Sequence, residues 1–218
     1  MDENLIVELE KAGIVTATFR KLAPKKKVSI YRAALNAFAA AAVDRVGLDQ
    51  IAAAAKISKG SLFQYFVNKD NLLAFVAEVF FDEYQLFWEH CLAREYGVRV
   101  RDRMLEYIGE QAGFWGRSKT EAAFCMKMLF QTGGHLAGQF KGRFSELHTS
   151  HVADIIERGI KTGEVRRDVP KRLLVELVLA VFLKINRDMM AAVSASGKSP
   201  SAGDLDSTLA LLFSGISG

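Results

Sequence analysis

Proline is scarce in this chain, with three residues in 218. So few helix breakers, with apolar residues recurring mostly at helical spacing, predict an all-α fold. Cysteine is scarcer still, with only two. Cys91 and Cys125 cannot build a disulfide framework, and neither sits in a spacing that suggests a zinc site or a nucleophile, so both are expected to be buried and structural in a cytoplasmic protein. Long apolar runs are missing. The most apolar stretch, Leu173 to Ile185, is too short to span a bilayer and holds Glu176 and Lys184, so no membrane partner is expected. The N-terminus, MDENLIVELEK, is acidic and lacks a signal-peptide pattern. Hydrophobic residues at 50% and charged residues at 25% exclude a disordered chain.

Acidic residues are absent between Glu10 and Asp44. That interval holds Lys11, Arg20, Lys21, Lys25, Lys26, Lys27 and Arg32, on a chain whose net charge is only +4. The imbalance points to a polyanion contact near the N-terminus, although charge alone fits a solvated face equally well.

Residues 3–20 read as a short helix and a loop, an N-terminal extension covering 1–24. Ile30, Ala34, Leu35 and Phe38 mark a first amphipathic helix after Pro24. Gly47 is a suitable N-cap for a second helix, with Leu48, Ile51, Ala52 and Ala55 facing inward. Ser58 caps a third, KGSLFQYF, and Asn68 caps a long fourth running towards His90 or Tyr96, with Asp70 in its first turn. Further helices are expected over 101–115, 120–130, 144–161, 171–193 and 204–216, separated by GRSK, QTGGHLAG, TGEVRRDVP and SASGKSPSAG.

The third helix carries the informative pattern. At 100° per residue, Leu62 and Phe66 share one face with Tyr65 beside them. Gly60, Phe63 and Gln64 fall on the other side, with Ser61 at its edge. A helical Gly costs roughly 1 kcal/mol relative to Ala, but it lets another body come close. A Gln amide can pair bidentately with an adenine edge. Two short helices joined by a tight turn, the second showing small and polar residues, are the helix-turn-helix arrangement, whose second helix enters the DNA major groove. Lys59 and Lys69 lie where phosphates would, Lys69 at a helix start that favours anions.

The run IYRAALNAFA…LDQIAAAAKISKGSLFQYFVNKDNLL resembles the DNA-binding domain of the tetracycline-repressor (TetR) family of bacterial transcriptional regulators. The resemblance rests on Ala33-Ala34, Phe38, Ile51-Ala52, the pattern Ser58-x-Gly60-x-Leu62-Phe63-x-Tyr65-Phe66, and Lys69. TFRKLAPKKKVSIYRAAL is similar to the N-terminal extension of one subgroup, and TGEVRRDV to the loop before the last core helices. The resemblance implies a helix-turn-helix domain over 25–73 and a helical regulatory, effector-binding and dimerisation domain over 74–218. It implies a homodimer on a double-stranded DNA operator, a small apolar effector, no cofactor, and a cytoplasmic protein held at the nucleoid when bound to DNA. Residues implied at DNA are Lys27, Lys56, Lys59, Gly60, Ser61, Phe63, Gln64, Tyr65 and Lys69. Phe63 replaces the usual Tyr and loses a hydrogen bond to phosphate. Gly47 stands where Ser or Thr is usual, and Ala42 where Gly is. Lys56 replaces the usual turn Gly, which strains it by about 1 kcal/mol if it is left-handed.

The remaining signals are weaker. His148 and His151 are three apart, but no third ligand is near, so surface histidines rather than a metal site are expected. GRSKT at 116–120 lacks the spacing of a phosphate loop. Among the many aromatics of the middle region, Trp88, Trp115 and Phe130 are chosen as candidate lining of an effector pocket. The helix from Lys171 is apolar almost all round, and Leu205, Leu209, Leu212, Phe213 and Ile216 give the final helix a broad stripe. Two such stripes suggest a two-fold partner contact through Leu174, Val178, Val181, Leu205, Leu209 and Leu212, unless both bury in the chain's own core. No acid–base or nucleophile constellation is present, so a regulator is expected rather than an enzyme. A helical enzyme and a protein-binding adaptor are the rival classes.

Overall fold

The computed structural model describes residues 1–92 and 99–196, together with 210 and 214. Ten α-helices and one 3₁₀ turn are found among them. In the N-terminal part, Asp2 caps α1 (Glu3–Lys11) through a bond to the Asn4 amide, and Thr16 caps the single turn α2 (Ala17–Arg20). Pro24 opens α3 (Pro24–Ala40) at the position where its missing N–H is harmless. The 3₁₀ turn Val43–Arg45 leads to α4 (Leu48–Ala54) and α5 (Lys59–Tyr65). Ile30, Ala34, Phe38, Ile51, Leu62 and Phe66 are buried and form the core of this head.

The N-terminal extension is built into the head. Ile6, Leu9, Val15 and Phe19 are all buried. The Phe19 ring lies 5.1 Å from Phe66 and 5.0 Å from Phe75, centroid to centroid. The Thr16 hydroxyl donates to the Gln64 carbonyl at 2.6 Å, and the Thr16 amide to the Tyr65 carbonyl at 3.1 Å. Asn71 Nδ2 donates to the Gly13 carbonyl at 2.8 Å. The extension therefore clamps the junction between α5 and the next helix.

The long α6 (Lys69–Leu92) carries the chain into a helical body made of α7 (Val100–Arg117), α8 (Lys119–Phe130), α9 (Gly134–Thr162) and α10 (Lys171–Ser196). Helix α8 packs against α3 of the head and α10 of the body, so head and body meet along it as well as through α6. Helix α9 begins at Gly134 rather than near Phe144 as expected. Leu136, Ala137, Phe140 and Phe144 continue the apolar stripe, and their burial outweighs the turn-like glycines around them. The expected helix over 204–216 lies outside the described residues, apart from Ala210 and Ser214, which are helical.

Helix α10 corrects one expectation. Leu174 and Val178, expected at a partner contact, are buried inside the chain at 3% and 1% exposure, with Phe182, Ile185 and Met189 on the same inward face. The outward face shows Leu173 at 44% and Leu177 at 50%, with Val181 half-buried at its edge. On a helix apolar all round, periodicity does not tell the inner face from the outer. Leu205, Leu209 and Leu212 lie outside the described residues.

One glycine is required by a close approach. A Cβ on Gly159 would stand 2.5 Å from methyls of Val100 and Val165, where α7 begins against α9. The same corner is held by the Glu164 carboxylate, which accepts from the Val100 amide at 2.9 Å. Gly159→Ala should therefore destabilise the chain by about 1–3 kcal/mol through overpacking. Urea unfolding checks this, and an unchanged midpoint would show that the corner yields freely.

Candidate nucleic-acid interface

The turn between α4 and α5 sets the position of the outward helix. Helix α4 ends at Ala55, and Lys56 follows with φ 55°, the one non-glycine left-handed residue among those described. The Ile57 amide returns to the Ala52 carbonyl at 2.9 Å, closing the turn as a left-handed C-terminal cap does. Lys56 thus carries the strain anticipated for it, about 1 kcal/mol. Lys26 offsets it. Its ammonium donates to the Lys56 carbonyl at 2.9 Å and the Ala55 carbonyl at 3.4 Å, tying α3 to the turn. Ser58 then starts α5, its hydroxyl accepting from the Ser61 amide at 3.0 Å.

The residues of α5 and its C-cap Phe66 divide as the helical wheel predicts. Leu62, Tyr65 and Phe66 are buried. Gly60 and Gln64 are exposed, and Phe63 is 47% exposed, an unusual amount for a large aromatic. Gln64 is held only by its backbone carbonyl, and no hydrogen bond to its side-chain amide is found among the described residues. A Cβ on Gly60 would meet nothing nearer than the Ser58 hydroxyl at 3.8 Å. The fold has room for Ala there, so the glycine serves nothing inside this chain. The Ser61 hydroxyl lies 2.8 Å from that of Ser58, at the edge of the face.

The cations divide into two kinds. Lys56 is exposed, and Lys59 makes a 3.0 Å pair with Asp49 in which both side chains are more than half exposed. Such a pair is worth little and exchanges readily for phosphate. Lys69 donates to the Asp44 and Val46 carbonyls at 3.0 and 3.2 Å, so two of its three protons hold the 3₁₀ turn against the start of α6. Lys27 corrects the sequence reading. It was expected at DNA, yet it is 2% exposed and its ammonium meets Glu3 at 2.9 Å, fastening α1 to α3. Tyr65 sits largely in the core, 9% exposed, with its ring edge towards Phe19. Sequence reasoning missed the clamping roles of Lys26 and Thr16. Thr16 was legible as a cap three residues before Phe19, but its partner lies 48 residues away.

The interior of the body is aromatic with a polar thread. Trp88 and Trp115 are fully buried beside Tyr84, whose ring stacks on Trp115 at 5.5 Å and on Phe144 at 5.5 Å. Tyr84 Oη bonds to His148 Nε2 at 2.8 Å and receives the Gln111 amide at 2.7 Å. Asn186 Oδ1 accepts from Gln111 and from the Trp115 indole at 2.8 and 2.7 Å. Phe130, expected to join Trp88 and Trp115, is 48% exposed instead, because α8 ends there and the chain turns outward. His148 is no surface histidine: it is wholly buried, with each ring nitrogen against a tyrosine hydroxyl. Its place between Phe140, Phe144 and Val152 on the apolar stripe was the available signal. No cluster able to hold a metal occurs among the described residues, nor any helix long and apolar enough to cross a membrane.

Residues 30–76 match the family model of bacterial regulatory proteins of the tetR family. The match takes in most of α3, all of α4 and α5, and the start of α6. The chain as a whole has the fold of solved TetR-family structures. A TetR-family transcriptional regulator from Chloroflexus aurantiacus is 16% identical, with a TM-score of 0.69, over 94% of this chain and 99% of that one. The regulator FadR from Bacillus subtilis, solved with stearoyl-CoA, is 18% identical with a TM-score of 0.66, over 87% and 99%. GusR of Salmonella enterica is 15% identical with a TM-score of 0.66, over 89% and 97%. A search of curated protein sequences finds no match. The segment that carries the outward helix is thus similar to a family of bacterial regulatory proteins, and the chain as a whole shares the fold of solved members.

Two outcomes are expected. Gly60→Ala should raise stability by roughly 0.5–1 kcal/mol in thermal unfolding while weakening DNA binding. Stabilisation with unaltered binding would remove the close approach from the account. Burial holds the His148 imidazole well below its ordinary 6.5. The folded chain keeps it neutral while the unfolded chain protonates, so its contribution is full above that pH and declines as pH falls below it. Between pH 7.5 and 5, His148→Gln should flatten the loss of stability by up to about 1.4 kcal/mol per pH unit. An unchanged slope would place the acid sensitivity elsewhere.

Proposed function

We propose that this chain is a DNA-binding transcriptional regulator, a ligand-responsive repressor that binds an inverted-repeat operator as a homodimer. Each protomer would place α5 in the major groove, with the two copies about 34–36 Å apart on one face of the duplex. The observation that carries this reading is the outward face of α5: an unneeded glycine, a half-exposed Phe63 and an unpartnered Gln64 amide, all on a helix whose other face is buried. Gln64 would read a base edge, and Phe63 would rest on sugar or a thymine methyl. Lys56, Lys59, the third proton of Lys69 and the start of α6 would meet phosphate. Ser61 lies close enough to the face to add a hydroxyl. Affinity would fall steeply with salt, because phosphate contacts release counterions.

The exposed pair Leu173 and Leu177 on α10 supports a partner contact on that face, with Val181 at its margin. An apolar effector acting on the body is supported by its aromatic interior and by the stearoyl-CoA found with FadR of Bacillus subtilis. The effector would act by favouring a body conformation in which the two heads no longer match the operator, and only by its differential affinity for the two states. The reading is of a binding protein rather than a catalyst.

The test is selection of bound sequences from random duplex DNA at two salt concentrations, with Gln64→Ala alongside. An inverted repeat should emerge, weaker at high salt, and Gln64→Ala should relax preference at one position per half-site by roughly 1–3 kcal/mol. No enrichment would overturn the reading, and an unchanged motif in the variant would remove Gln64 from base contact.

A further inference from the structure

A groove of about 420 Å³ opens on the body where α6, α7 and the start of α8 meet. Its apolar surface comes from Leu86, Phe87 and Phe114. Leu86 is 55% exposed, so a greasy wall faces water without a partner among the described residues. Two carboxylates, Glu83 and Glu121, line it as well, with His90 and Ser118. Arg117 is the lining arginine, and its guanidinium lies over the Phe87 ring at 5.4 Å.

Glu121 is the unusual member. It is 8% exposed, and one carboxylate oxygen is paired with Arg32 of the head. The other oxygen is buried and has no hydrogen-bond partner. A buried anionic acceptor left bare is unfavourable, and an N–H donor or cation would satisfy it. Glu83 stands beside it, held only by a 3.5 Å bond from the Tyr31 hydroxyl, and burial raises its carboxyl above the usual range. The Arg32 side chain is about half exposed, so it can turn out into water if something else takes its place.

We propose that this groove binds an amphipathic monocation, an ammonium or amidinium with a compact apolar body, whose charge competes with Arg32 for Glu121. The apolar body lies on Leu86, Phe87 and Phe114. The head contributes Arg32 and Tyr31 from α3, and the body contributes Glu121 and Glu83 from α8 and α6. A ligand that takes Glu121 therefore loosens the contact between head and body. Binding stands on the groove alone, and its effect on DNA rests on the function proposed above.

The test is calorimetric titration of the full chain with octylammonium, octanoate and octan-1-ol, without DNA. Octylammonium should bind at least about tenfold more tightly than the other two, and Glu121→Gln should remove most of that advantage. Arg32→Gln, which leaves the groove intact and needs no partner of its own, should strengthen octylammonium binding several-fold, because the internal competitor is gone. Equal binding of octanoate or octan-1-ol overturns the site, as does unchanged binding in Glu121→Gln or weaker binding in Arg32→Gln. A second arm measures release of selected DNA. Binding without release keeps the site and overturns its regulatory role. Absence of octylammonium binding overturns the site while leaving DNA recognition intact.

Discussion

Everything in the head depends on holding a helix of seven residues with one face alone. A helix that short is unstable in water by itself, and half of its surface stays free of the rest of the chain. The whole burden falls on Leu62, Tyr65 and Phe66, on the Ser58 cap, and on what those groups touch. The N-terminal extension answers this need. Phe19 fills the space between Phe66 and Phe75, and Thr16 ties down the last carbonyls of the helix. Lys26 does the same for the turn at its other end. With both ends fixed, the outward face can keep a helix-weakening glycine and a half-exposed aromatic.

The same economy governs how head and body are joined. The head has little surface to spare, yet α3 is joined to α8 by Arg32 and Glu121 and reaches α6 by Tyr31 and Glu83. Nearer the start of α6, Glu78 pairs with Arg143 of α9 at 2.7 Å. Partly exposed pairs of this kind contribute little stability singly. They fix orientation, and orientation is what the two heads of the proposed dimer would have to share. A cleft of about 880 Å³ lies between the start of α6, the residues after α3 and the turn joining α8 to α9.

Periodicity and capping rules made much of this legible in the sequence. Ser58 and Asn68 cap where expected, and the inner and outer faces of α5 fall as the wheel places them. Lys56 in a glycine position signalled a left-handed residue, and φ 55° is what is found. The failures share a cause, which is that the deciding partner is distant in sequence. Lys27 carries a charge that reads as surface, and only Glu3, 24 residues away, allows its burial. Leu174 and Leu173 are equally apolar neighbours, and only packing on the rest of the body separates inward from outward. His148 sat on a visible apolar stripe, but its two tyrosine partners lie 41 and 64 residues away. The glycines before Phe144 read as a turn, yet the apolar stripe runs on through them and α9 begins at Gly134.

The central claim is that the free face of α5 lies against bases. The most direct measurement places a photoreactive benzophenone side chain at position 63, in place of Phe63, and maps the crosslinked nucleotides on a selected duplex. The account predicts crosslinks to bases at two sites, one per half-site, about one helical turn of 10–10.5 base pairs apart. Crosslinks to protein alone, or none to DNA while the duplex stays bound, would contradict it.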